Sequence, residues 1–280
     1  DYSPIFKLDL CSKLLWLNQE SIFHHSKMMD HDGNIWVPAR MFPYSQVIGN
    51  TYKEFGEYDD DAIVKIDLDG KILYIESVSE ILLKNKIIGD SIFFNKISDP
   101  IHLNDIEPAL NNTKFWNKGD LFLSIRHQST ILHYRPSTNK VINYIKGPFF
   151  MQHDVDIISE KEISIFNNNN TPLGNYNSEV LIYNFETKKF SKKFNDSLIN
   201  EKFKTYSQGL SEILNDGSML VEEQNKGRLI LFNNKGEKEW EYVNKDKNND
   251  VYFISWARII EDRSLLDTLR EKYKHNKCKS

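Results

Sequence analysis

Glu162-Ile163-Ser164-Ile165-Phe166-Asn167, followed by Val180-Leu181-Ile182-Tyr183 and the turn Glu186-Thr187, decides the fold because its plan recurs three more times. Ile163 is the first apolar residue after a turn, and Ile35, Leu121 and Met219 hold the same place in the other copies. Each copy then adds a second hairpin. Ile63-Val64-Lys65-Ile66 precedes Asp69-Gly70, Leu132-His133-Tyr134 precedes Ser137-Thr138, and Leu229-Ile230-Leu231-Phe232 precedes Lys235-Gly236. Thr138, Thr187 and Gly236 follow one another at intervals of 49 residues. A repeat near fifty residues with several short strands is the signature of a propeller blade. The expected fold is all-β: a β-propeller of four-stranded antiparallel blades, about five blades' worth, with a short C-terminal helix.

The copies run from Phe23 to Tyr74, Ile101 to Ile145, Gln152 to Phe194 and Tyr206 to Tyr242. Copy one carries an insertion at Phe42–Asp61, a connecting stretch at Ile81–Pro100 has room for a short helix, and Asn167–Asn170 reads as a loop. No composition break divides the copies, so residues 1–262 are read as one propeller domain and 263–280 as a polar helical tail. The chain opens on Ile5–Leu10 and Leu14–Leu17, an outer hairpin without inner strands, and Tyr252–Ile260 reads as an inner strand without an outer hairpin. These halves could close a ring of five. Loss of an N-terminal portion from a ring of six is the favoured expectation, because a native chain begins with Met or a processed export signal.

Composition bounds the function. Charged residues make up 27% of the chain with a net charge of −4, and without a basic stripe nucleic acid is not an expected partner. The apolar runs are strand-sized, below the roughly 20 residues of a membrane span. Cys11 and Cys278 stand at opposite ends; a disulfide between them is possible, but two free thiols are the expectation. Asp30-His31-Asp32-Gly33-Asn34 lacks the spacing and closing Glu of a calcium loop and reads as a hairpin turn. His127 and His133 are expected in outer strands, solvated or packed, and Trp36, Trp116 and Trp240 in blade packing. No phosphate loop, dinucleotide fingerprint, zinc-protease helix or nucleophile elbow is present. No metal site and no cofactor are expected.

The repeat also places chemistry. The first strand of a blade lines the central channel, so residues at equal blade positions converge. Ten residues before Ile35, Ile163 and Met219 lie His25, His153 and Gly209; the second copy, with its longer turn, opens at His102. His25 is preferred to His24 on this count alone. Seven residues after the turn glycines Gly33 and Gly119 come Arg40 and Arg126, and the equivalent offsets reach Asn168 and Gln224. His25, His102, Arg126 and His153 on one rim would combine nucleophile, acid/base and anion-binding groups. Gly209 in copy four shows that the blade does not need His there to fold.

The segments Phe23-His24-His25-Ser26, His102-Leu103-Asn104-Asp105, Ser124-Ile125-Arg126-His127-Gln128-Ser129 and Gln152-His153-Asp154, with Leu214–Val221, resemble the bacterial arylsulfotransferases. The resemblance covers about Phe23 to Tyr242. It implies a six-bladed propeller that moves a sulfuryl group from a phenolic sulfate to a phenol without a nucleotide donor, and a periplasmic or exported location. It implies His153 as the nucleophile that becomes a transient sulfohistidine, Arg126 as the grip on the sulfate oxygens, and His25 and His102 as flanking groups that stabilise oxygens and handle the phenol proton. Asn104, Arg40 and Asn168 are expected to contact substrate, and Asp154 to orient His153 unless strand alternation turns it away. The paired cysteines and the N-terminal β domain of secreted members are missing. The competing reading is a non-catalytic propeller that binds a small anion or a protein partner at the same mouth. A quinone-cofactor dehydrogenase is weaker, for want of metal-binding carboxylates.

Overall fold

The structure is a computed structural model that describes residues 3–42, 59–87, 98–171 and 173–275. Four blades follow one another, each an antiparallel sheet whose strands run from the channel outward. Blade one comprises Met28–Met29, Ile35–Arg40, Asp61–Ile66 and Ile72–Ser77. Blade two is Leu103–Pro108, Leu121–Ile125, Thr130–Arg135 and Lys140–Ile145. Blade three is Val155–Ser159, Glu162–Asn167, Glu179–Asn184 and Lys189–Lys193, and blade four is Leu210–Ile213, Met219–Glu223, Arg228–Phe232 and Lys238–Val243. The turns at Gly70, Thr138, Thr187 and Gly236 all join the two outer strands of a blade, as the repeat predicts. Asp67 and Asn233 shape two of these turns: Asp67 Oδ1 accepts from Asp69 N and Lys71 N, and Asn233 Oδ1 from Lys235 N and Glu237 N. Gly70 and Gly236 supply the left-handed residue there, with φ of 86° and 82°.

The core lies between blades rather than within them. Trp36, Ile63, Leu103 and Leu123 fill the space between blades one and two, and Trp116, Phe122, Ile163 and Leu181 that between two and three. Phe166, Val180, Val221 and Phe232 do the same for three and four. Strands buried on both faces read as near-continuous apolar runs, as Leu121–Ile125 does with the buried Ser124 its one polar residue. The strands Ser3–Leu8 and Leu14–Phe23 pair with each other and join blade one where Phe23 meets Ala39. Their core is Ile5, Phe23, Val37 and Val64.

Polar clasps tie the innermost strands together around the channel. Ser26 Oγ accepts from Ile106 N, Asp105 Oδ2 from Val155 N, and Asp154 Oδ2 from Ser211 N, so each blade holds the backbone of the next. Asp154 is thus turned away from the ring of His153. A second row repeats the device, with Glu107 Oε1 accepting from Ile157 N.

Several expectations are corrected. Tyr252–Ile260 forms no strand and is irregular beyond the bridge at Val251. It nevertheless receives the clasps of an inner strand, since Ala257 N donates to Glu222 and Ile259 N to Glu212, both at 2.8 Å. Trp240 does not pack inside a blade: it is 47% exposed and stacks on Tyr242. Cys11 is not a free thiol but disulfide-bonded, and Cys278 lies outside the described residues. The short helix near the connecting stretch is Val78–Lys84, capped by Ser77, and the tail helix is Arg263–His275. The Asp30–Asn34 segment is a hairpin turn whose Asp30 pairs with Lys65 at 2.6 Å. Most of the Phe42–Asp61 insertion lies outside the described residues.

Candidate active site

Strand register fixes which residues share a level. Ile35, Leu121, Ile163 and Met219 pair with Met29, Pro108, Ile157 and Ile213. Four residues before those partners stand His25, Asn104, His153 and Gly209. On that count Asn104, not His102, is the counterpart of His25 and His153 in blade two; His102 stands two residues earlier, beyond a register shift between Leu103 and Asp105. His25 and His102 both adopt left-handed backbone, with φ of 52° and 51°. Such conformations are uncommon outside glycine and cluster at functional sites.

The expected quartet converges. The His25 ring centroid lies 5.5 Å from that of His102 and 5.7 Å from that of His153. Arg126 is close enough that, after burial, its charge is the largest influence lowering the proton affinity of His153. His25 and His153 line a cavity of about 370 Å³ together with His24, Lys27, Gln208, Gln224 and an aromatic wall. His102 and Arg126 are not among its lining residues.

Hydrogen bonds assign each imidazole a state. Asn168 Nδ2 donates to Thr205 O at 3.1 Å and Gln208 O at 2.8 Å, so its Oδ1 is the acceptor that faces His153 Nδ1 at 2.8 Å. His153 therefore carries its proton on Nδ1 and keeps a lone pair on Nε2, which accepts from Gln208 N at 2.9 Å. His153 is 2% exposed, and burial followed by the Arg126 charge holds its pKa well below the usual histidine value. It is neutral at pH 7. Asn168, expected to contact substrate, acts here through His153.

His102 Nδ1 lies 2.5 Å from the Asp99 carboxylate, which fixes the proton on Nδ1 and leaves Nε2 for exchange. Burial alone would raise the Asp99 carboxyl, but the bond from His102 and the charges of His102, His127 and Arg40 together outweigh it, and the carboxyl sits below its ordinary value. His24 Nε2 lies 3.3 Å from Asp61 Oδ1, and His24 Nδ1 is 2.7 Å from His25 Nδ1. One hydrogen is shared between the two Nδ1 atoms, so one of these rings donates to the other. Burial, then His24, lowers the His25 pKa well below the usual value.

Sequence reasoning missed His127 and Asp99. His127 is no outer-strand residue: its ring lies 4.6 Å from that of His102 and bridges Asp99 O to Arg126 Nη1, at 2.5 and 2.7 Å. It thereby holds the guanidinium in place. Asp99, His102 and His127 are also the group among the described residues that could hold a metal, yet both nitrogens of His127 are already hydrogen-bonded. Asp99 thus holds His102 through its carboxylate and His127 through its backbone carbonyl. Asn104 is fully buried; its Nδ2 donates to Gln152 O at 3.0 Å and its Oδ1 has no partner. Arg40 pairs with Asp59 at 2.5 Å, behind Asp99. His133 is packed in the core against Asp120, as expected of it.

Among solved structures, a protein of unknown function from Bacteroides caccae shares the fold at 12% identity and a TM-score of 0.55, covering 85% of this chain and 74% of its own. A virginiamycin B lyase from Staphylococcus aureus and a streptogramin B lyase follow at 12% and 13% identity and TM-scores of 0.44 and 0.45, each covering 85% of this chain. The chain spans 62% and 61% of those two. None of the curated proteins matches it. No helix among the described residues is long and apolar enough to cross a membrane. The family model for arylsulfotransferase (ASST) matches residues 1–245. With that match across the blades that carry the histidines, the chain belongs to the arylsulfotransferase family, a membership that supports sulfotransferase activity in general.

Proposed function

We propose that the protein transfers a sulfuryl group from a phenolic sulfate ester to a phenol through a sulfohistidine at His153. The observation that carries this reading is the tautomer of His153, fixed by Asn168 with an unprotonated Nε2, on a residue that lines the cavity. A neutral imidazole nitrogen is a competent nucleophile near pH 7, and its adduct is labile enough to pass the group on.

In the first half, His153 Nε2 attacks sulfur, the N–S bond forms and the S–O bond to the aryl group breaks. The departing phenolate takes a proton from Nε2 of His102, which enters the cycle as an imidazolium paired with the Asp99 carboxylate and leaves this half neutral. Arg126 holds the sulfuryl oxygens, and the Gln208 N–H, released from Nε2, donates to one of them. In the second half, His102 takes the proton of the acceptor phenol. The phenolate oxygen attacks sulfur, the N–S bond breaks, and His153 returns to its neutral form. Asn104, beside Gln152, contributes one free amide hydrogen at the same level. The family membership supports an exported location for this work.

Mixing enzyme with 4-nitrophenyl sulfate and no acceptor tests the proposal. One equivalent of 4-nitrophenol per chain is expected, followed by turnover when a phenol is added. Tight binding of the ester with no phenol release would favour the non-catalytic propeller.

A further inference from the structure

The family model ends at residue 245, but the cavity does not. Phe253, Ser255 and Trp256 line it opposite His25 and His153. The clasps explain how they come to be there. Val155 N and Ile157 N are held by carboxylates of blade two's innermost strand, and Ala257 N and Ile259 N, at the same two-residue spacing, by carboxylates of blade four, Glu222 on its second strand and Glu212 on its innermost. On that count Ser255 occupies the level of His153, and Trp256 that of Asp154. Arg258, at the level of Asp156, anchors the segment: its Nη2 bonds Asp154 at 2.9 Å and contacts Asp156 at 3.5 Å, and its guanidinium lies 5.2 Å from the Trp256 ring.

Trp256 has two features of a recognition residue. Its backbone is left-handed, with φ of 61°, a conformation that a bulky residue keeps only where its surroundings enforce it. Its indole Nε1 is buried and has no hydrogen-bond partner. An indole N–H is a donor only, and it finds an acceptor when buried. The side chain therefore offers a flat apolar face and one unmet donor to whatever enters a cavity that also holds two neutral imidazoles.

We infer that Trp256, carried by the C-terminal segment, is the aryl-recognition residue of this pocket: its ring packs against the aromatic ring of the donor ester, and its N–H bonds an oxygen of the sulfuryl group. Phe253, 70% exposed at the mouth, extends the same apolar wall. The inference rests on the sulfuryl-transfer reading but can fail separately from it. Offset or edge-to-face stacking favours an aryl over an alkyl anion of equal charge, while the hydrogen bond serves both alike.

Calorimetric binding of benzenesulfonate and methanesulfonate, whose S–C bonds cannot donate a sulfuryl group, tests it. The wild-type protein is expected to prefer benzenesulfonate by tenfold or more. Trp256→Leu should bring the two affinities within threefold, while Trp256→Phe should keep most of the preference and weaken both anions by a similar factor. Phe253→Ala, at an exposed position, should lower the preference in part even if Trp256→Leu does not fold. An unchanged preference in Trp256→Leu, or in Phe253→Ala where the former is unfolded, would overturn the inference, as would a wild type that binds neither anion. Release of 4-nitrophenol with the preference unaltered would sink the role of Trp256 and leave the transferase reading standing. A Trp256-dependent preference without phenol release would do the reverse.

Discussion

Asn168 Oδ1 lies 2.8 Å from His153 Nδ1, and because both amide hydrogens of Asn168 are committed to backbone carbonyls, the amide can only accept from the ring. One residue thus decides which nitrogen of the other is nucleophilic. Asn168→Ala should free the ring to change tautomer and slow the release of 4-nitrophenol by about 10²-fold. It should also lower stability by about 1–3 kcal/mol through the carbonyls left unpaired. Stopped-flow phenol release and a denaturant titration separate the two effects.

Arg126→Lys keeps the charge and removes the planar fork, as well as the directed bond to His127. Affinity for 4-nitrophenyl sulfate should fall by roughly tenfold to a hundredfold, the range of a lost charged hydrogen bond. Equal affinity in the two proteins would mean that Arg126 does not hold the anion.

Burial lowers the pKa of both His25 and His153 below the ordinary value of 6.5. The nucleophile must be neutral, so activity is lost only when pH falls through the lowered pKa. The acid limb of kcat/KM is therefore expected below pH 6.5. An acid limb centred at or above 6.5 would mean that the group being titrated is not a buried imidazole.

The channel carboxylates titrate in the opposite sense. Burial, then Asp154, pushes the Asp105 carboxyl up to about 7, and burial raises Glu107 and Asp156 as well. The folded protein holds protons that the unfolded chain has released. Their contribution to stability is thus complete below the ordinary carboxylate range and is lost as pH rises through neutrality. Asp105→Asn keeps an acceptor for Val155 N and should flatten the fall in unfolding free energy between pH 5 and 8. A fall as steep as in wild type would exclude Asp105 as its source.

The blades were legible because their apolar runs and turns repeat in register, and the count back from Ile35 and Ile163 found His25 and His153. It failed in blade two. The long connection between Pro108 and Leu121 adds length that an apolar count cannot place, so His102 took the place that Asn104 holds. Asp99 and His127 escaped because neither belongs to the repeated strand pattern: one ends a connection and the other opens the turn after Ile125. Their signal was proximity in sequence to Ile101–His102 and to Arg126. The Tyr252–Ile260 segment was read correctly as channel-facing and wrongly as a strand, because its partners are carboxylate side chains rather than a neighbouring backbone.

The central claim is that His153 carries the sulfuryl group. The direct measurement is intact-mass analysis after 4-nitrophenyl sulfate is added without acceptor, followed by peptide mapping under conditions that preserve the N–S bond. The account predicts one added sulfuryl group per chain, located on His153, and no addition in His153→Asn. A sulfuryl group found on His25, or full turnover by His153→Asn, would contradict it.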